Sequence, residues 1–141
     1  MLSPVFTILE VNMPILRDKN FPNNYIEFTV VKHNPSPGEG GYYNYRYVVN
    51  SEVIKEAKFG WTNMVLNSFI PMLKEFPEEK WKGYFSHFEE NMEIKWIHEY
   101  KTDLYLLIFM DLGQLYTLKA SKEDIRKFGI QFEGEMKSIS N

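Results

Sequence analysis

Residues 92–119 read MEIKWIHEYKTDLYLLIFMDLGQLYTLK, and the periodicity of this stretch decides the fold class. From Met92 to Tyr100, the side chains of Met92, Ile94 and Trp96 fall on one face, and Glu93, Lys95, Ile97 and Glu99 on the other. Alternation with a period of two marks a strand with one buried face. Leu104 to Met110 is apolar or aromatic throughout, as in a central strand covered on both faces or set against a partner. Asp111–Gln114 is a turn in which Gly113 supplies the permissive backbone, and Leu115–Lys119 is the next strand. Upstream, Gly83–Glu89 predicts another strand, joined to Met92 through a hairpin tip at Glu90–Asn91. Four antiparallel strands in succession are therefore expected here.

Helical periods flank this run. Ser121 with Asp124 three residues on has the spacing of a capping box, and Ile125, Phe128 and Phe132 form an i, i+3, i+7 stripe that Met136 and Ile139 extend. A helix over about 121–136 follows, weakened by Gly129 and Gly134. Val65, Leu66, Phe69, Met72, Leu73 and Phe76 recur at three- and four-residue steps, which predicts a helix over about 62–76. Thr62 can cap its start and Pro77 ends it. Pro71 implies a kink, or a regular helix that starts near Ser68.

The first sixty residues read as short strands. Pro4–Val11 is one; Tyr25–Val31, with Ile26, Phe28 and Val30 on one face, is a second; Tyr42–Val49, with Tyr43, Tyr45 and Tyr47 on one face, is a third. The loop HNPSPGEGG, residues 33–41, joins the latter two as a long hairpin, and residues 50–60 read as connection, with a short strand or turn around Val53 as the alternative. The expected architecture is α+β: one antiparallel sheet of about six to seven strands with two helices, in a single domain over residues 1–141 with no internal repeat.

Composition limits the function classes. A net charge of −3 argues against a nucleic-acid binder, which needs a basic footprint to displace counterions. The chain has no cysteine, so disulfides, thiolate zinc sites and cysteine nucleophiles are excluded. The N-terminal stretch carries Glu10 and no basic flank, against a secretory signal. The Leu104–Met110 run is far short of the roughly 18 residues of a membrane span. A cytoplasmic protein with no membrane partner is the expectation.

Chemistry-bearing residues do not assemble into a motif. His87 and Glu89 share a strand face but lack a third metal ligand in reach, and His98 falls on the next strand, away from them. Glu89 and Glu93 would neighbour each other at an exposed hairpin tip amid lysines, a solvated charged face. There is no G-x-S-x-G and no P-loop, and the GEGG run lacks the lysine a phosphate loop requires. No cofactor, metal or catalytic set is expected. The tyrosine stripe has two readings, the lining of a sheet packed on a helix or an aromatic patch facing a partner.

From Trp61 to Met110 the pattern is more particular. A tryptophan precedes a helix with Leu66, Phe69 and Leu73 in the spacing L-x-x-F-x-x-x-L; next come KWKGY at 80–84 and a strand bearing Ser86, Phe88 and Glu89. Over residues 61 to about 136 this resembles the small bacterial WapI-type immunity proteins and neighbouring uncharacterised families. The resemblance implies a cytoplasmic protein that neutralises a cognate toxin by binding it, and carries no catalytic residues to transfer. The expected function is thus non-enzymatic binding of a protein partner, with Tyr43, Tyr45, Trp81, Tyr84, Glu89, Glu90 and Glu93 as candidate contact residues. The alternative is a small-ligand or hydrolytic α+β domain that uses His87, Glu89 or His98 for proton transfer.

Overall fold

The computed structural model describes residues 14–140, so the expected strand at Pro4–Val11 lies outside the described residues. The described chain runs twice through the same order, four strands and then a helix. Strands β1 (Ile15–Arg17), β2 (Tyr25–His33), β3 (Gly40–Val49) and β4 (Glu52–Thr62) form one antiparallel sheet in sequence order, followed by helix α1 (Asn63–Lys74). A short 3-10 turn at Glu79–Trp81 leads into β5 (Tyr84–Phe85), β6 (Glu93–Glu99), β7 (Leu104–Asp111) and β8 (Gln114–Ala120), a second antiparallel sheet, and helix α2 (Lys122–Ile139) closes the order. Among the described residues the architecture is α+β with two helices, as expected, but the strands number eight in two four-stranded sheets.

The difference has three local causes. Residues 50–60, expected as connection, contain most of β4, which pairs with β3 from Val49↔Glu52 to Gly40↔Thr62. Its charges hid it: Lys55, Glu56 and Lys58 fit an edge strand, where charge discourages pairing with another chain. Arg46 of β3 meets Glu56 across the register at 2.5 Å. Second, β1 is three residues long, too short to show a period. Third, the strand expected over Gly83–Glu89 is paired only at Tyr84–Phe85, and residues 86–92 form a loop with left-handed backbone at Glu90 and Met92.

Both helices begin where the sequence places them. The Ser121 hydroxyl accepts the Asp124 N–H at 3.1 Å and caps α2. Helix α1 starts at Asn63 and continues through Pro71, whose carbonyl accepts the Glu75 N–H at 2.9 Å. One lost hydrogen bond near the C-terminal end is tolerated because Val65, Leu66, Phe69, Ile70, Met72 and Leu73 of α1 are all buried.

A single hydrophobic cluster joins both sheets and both helices. Phe28 of β2 lies 5.4 Å from Tyr45 of β3, 6.0 Å from Phe69 of α1 and 5.6 Å from Phe128 of α2 (ring centroids). Tyr45 also reaches Phe109 and Tyr116 of the second sheet at 6.5 and 6.0 Å. At their β1 and β8 edges the sheets are tied: the Lys19 N–H donates to the Lys119 carbonyl at 2.8 Å, and the Lys119 N–H to Asp18 Oδ2 at 2.9 Å. The two helices cross at Gly129, where a Cβ would sit 2.6 Å from Leu73 Cβ. Gly129, read from sequence as a weakness in α2, is the close approach that lets the helices touch.

Candidate functional site

The candidate contact residues separate into three groups. Tyr43 and Tyr45 are 0% exposed and belong to the core. As partner contacts they are corrected: the pleat turns them inward onto Phe132 and Phe109, so the reading as a sheet lining holds for both. Burial pushes both phenols well above the ordinary tyrosine range. Trp81 is half-buried, its ring 5.3 Å from Phe85.

Glu89 and its neighbours are organised around α1. Glu89 Oε2 accepts the N–H of Thr62, the N-cap residue, at 3.1 Å, whereas the Thr62 hydroxyl makes no cap bond. A carboxylate at this position offsets the positive end of the helix dipole. His87 donates through Nε2 to the Asn91 carbonyl at 2.6 Å, and its Nδ1 accepts the Glu89 N–H at 3.2 Å. Asn91 Oδ1 in turn accepts the indole N–H of Trp61 at 2.7 Å. Both imidazole nitrogens are therefore committed inside the loop, and the ring holds the loop shape. Glu90, at the bend of this loop, is exposed with φ of 59°. The expected Glu90–Asn91 hairpin tip is thus replaced by a loop docked on the end of β4 and the start of α1.

Tyr84 and Glu93 do share a surface. The register of the second sheet places four rows on its outer face. Tyr84, Lys95, Ile108 and Thr117 form one row; Glu93, Met110 and Leu115 lie on one side of it; Ile97, Leu106 and Lys119, then Glu99 and Leu104, lie on the other. The centre is apolar, with Ile97 56% and Leu115 64% exposed. Around it the charges are mutually paired. The Tyr84 hydroxyl donates to Glu93 Oε1 at 2.6 Å, Lys95 Nζ lies 5.4 Å over the Tyr84 ring, and Lys119 Nζ meets Glu99 Oε2 at 2.7 Å. That last pair joins β6 to β8 across β7. The Lys119 bond holds the Glu99 carboxyl below its ordinary value, and the Glu93 bond raises the Tyr84 phenol. The apolar run Leu104–Met110 is thus a central strand, with Leu106, Ile108 and Met110 half-buried on the outer side.

His98 lies on the inner face of the same sheet, opposite Tyr105 in the register. Its Nε2 bonds Asp103 Oδ1 at 2.7 Å, and its ring packs 4.6 Å from both Tyr100 and Tyr105. The ring borders a cleft of about 390 Å³. His87 and Glu89 are not at this cleft, so the structure does not bring the three candidate acid–base groups together. Among the described residues no group of three or more His, Cys, Asp or Glu is placed to hold a metal ion, and no helix is long and apolar enough to cross a membrane. No known family, curated protein or solved structure matches the chain.

Sequence reasoning counted Asp103 and Glu78 among the C-terminal carboxylates but did not place them beside His98. The signal for Asp103 was the Y-K-T-D turn beside His98; Glu78 carried none, because only the fold turns residues 77–83 towards the end of β6.

Proposed function

We propose that this protein acts by binding another protein through the outer face of its second sheet, and that the partner is a cognate toxin that binding neutralises. One observation carries the choice of surface: the apolar grid of exposed Ile97 and Leu115 with half-buried Leu106, Ile108 and Met110, rimmed by Tyr84, Glu93, Lys95 and Lys119. An exposed apolar patch with a polar rim is the composition of a recognition surface. Toxin neutralisation rests on the resemblance of residues 61–136 to immunity proteins.

Size bears on how the face is used. Strand spacing of about 4.8 Å and a rise of about 3.3 Å per residue give this flat an extent of roughly 15 by 25 Å. That is less than half of the roughly 800 Å² each partner contributes to a standard interface. The contact therefore takes in the rim and the exposed Leu112 turn. Tyr84 is the aromatic anchor of this arrangement, and Glu93 fixes its hydroxyl.

The test is co-purification of the full chain with the product of the adjacent gene, repeated with Ile97→Asp and Leu115→Asp. Both side chains are exposed, so both variants should keep a cooperative unfolding transition and lose the partner. Undiminished binding by both, or no binding by the unaltered chain, would sink the reading.

A further inference from the structure

At the end of the second sheet where α1 stops, Phe76 packs on Trp96 and Tyr105 at 5.1 and 4.8 Å, and beyond it the inner face opens into the cleft beside His98. Its aromatic side is built from Trp96, His98 and Tyr105, extended by Tyr100. The Tyr100 ring is 89% exposed and stands edge-on to His98. Exposing a whole tyrosine ring in this position leaves its face free for a ligand. Asp103 fixes the imidazole from behind through Nε2.

The segment 77–83 supplies the acidic side, with Glu78 and Glu79. Glu78 Oε1 is out of contact with solvent and has no hydrogen-bond partner among the described residues, while Oε2 lies 3.7 Å from Lys80 Nζ. Native proteins leave few buried oxygens unpaired, and a carboxylate oxygen is the costliest of them. Oε1 is shielded as the side chain stands, so a positively charged donor in the cleft pairs with it once the partly exposed Glu78 carboxylate turns outward. Flat electron-rich rings beside a carboxylate are the surroundings that guanidinium and alkylammonium groups select, through cation–π contact and charge-assisted hydrogen bonds. Lys82 opposes that charge from an exposed position at the rim, where water screens it, and Arg126, whose charge is felt at the Tyr105 phenol, is engaged by the Phe76 carbonyl, to which its Nε donates at 2.6 Å.

We propose that this cleft binds an organic cation, a guanidinium or alkylammonium group, between Tyr100 and Glu78. The site is independent of the outer face described above, and the two readings stand or fall separately.

The test is titration of the full chain with butylguanidinium, followed by amide and aromatic-ring NMR. Saturable shifts are expected at Lys82, Gly83, His98 and Tyr100, with β3 unmoved. The double variant Glu78→Gln/Glu79→Gln should weaken binding by roughly tenfold or more. Tyr100→Ala, which removes an exposed ring and leaves the core intact, should weaken it as well; Leu115→Asp should leave it unchanged. A linear drift without saturation, shifts scattered over other carboxylates, or equal affinity in the double variant overturns the proposal. A short peptide with a single arginine separates the sources. Tighter binding of the peptide than of butylguanidinium assigns the cation to a protein side chain, and equal binding assigns it to a free small molecule.

Discussion

The Glu135 carboxylate of α2 accepts the backbone N–H of Val30 in β2 at 2.8 Å. The bond sits where β2 loses its register with β3, between Val30 and Lys32, and beyond the end of β1. Phe28 donates to the Pro14 carbonyl on that edge, and two residues on the Val30 N–H is taken by the helix side chain. Burial raises the Glu135 carboxyl above its ordinary value, with Glu27 adding to the rise and the Val30 N–H opposing it. With the folded value above the unfolded one, the native state binds the extra proton. The stability this contributes is present in full below the ordinary carboxylate value and is lost as pH rises through the folded value. Glu135→Gln keeps an acceptor and cannot ionise. Urea unfolding across pH should show that variant losing less stability than the parent between acid and neutral pH. Glu135→Ala strands the Val30 N–H and should cost about 1–3 kcal/mol. Parallel pH profiles for the parent and the Gln variant would contradict the assignment.

Two glycines on α2 should respond in opposite directions. At Gly129 an added Cβ would meet Leu73 Cβ at 2.6 Å and the Lys74 backbone nitrogen at 3.1 Å, so Gly129→Ala must push the helices apart. Overpacking of this kind costs about 1–3 kcal/mol. At Gly134 a Cβ would meet nothing within 4 Å, so Gly134→Ala gains helix propensity and should stabilise by about 0.5–1 kcal/mol. Thermal or urea denaturation of the two variants side by side checks this. Equal effects would mean that the helix crossing is misplaced.

Glu89 offers a choice between cap and contact. If it holds the start of α1 through the Thr62 N–H, Glu89→Ala should destabilise by about 1 kcal/mol, and Glu89→Gln by less, because the amide oxygen still accepts. Denaturation that shows Glu89→Ala as stable as the parent would remove the capping role and return Glu89 to the list of surface groups open to a partner.

Much of this fold was legible because burial imposes a period on sequence. Ile26, Phe28 and Val30 alternate inward along β2, Ile94 and Trp96 along β6, and the stripe of Ile125, Phe128 and Phe132 fixed the buried side of α2. What stayed hidden had little burial to leave a trace. Strand β4 is an edge whose charged positions face water, and β1 is a single short pairing. The division into two sheets is a tertiary choice: α1 carries the chain away from β4, and the 86–91 loop docks back on Thr62 and Trp61 through hydrogen bonds that no spacing rule encodes. The candidate site was half legible for the same reason. Period two put Tyr84 and Glu93 on a rim and also required Tyr43 and Tyr45 to share a face, but it could not say which face was inside.

The outer face of the second sheet makes a prediction about salt. It carries two acidic groups, Glu93 and Glu99, against two basic ones, Lys95 and Lys119, each already engaged within the face. A surface balanced in this way exerts little long-range steering, and its attraction is apolar. Association with the partner should therefore be slow for a charged complex, near the neutral range of about 10⁵–10⁶ M⁻¹s⁻¹. It should also change little as ionic strength is raised, while Leu115→Asp acts on the dissociation rate. Stopped-flow or surface-based kinetics at two salt concentrations decide the point. An association rate that falls steeply with salt would move the contact off this sheet face and onto a strongly charged surface elsewhere on the chain.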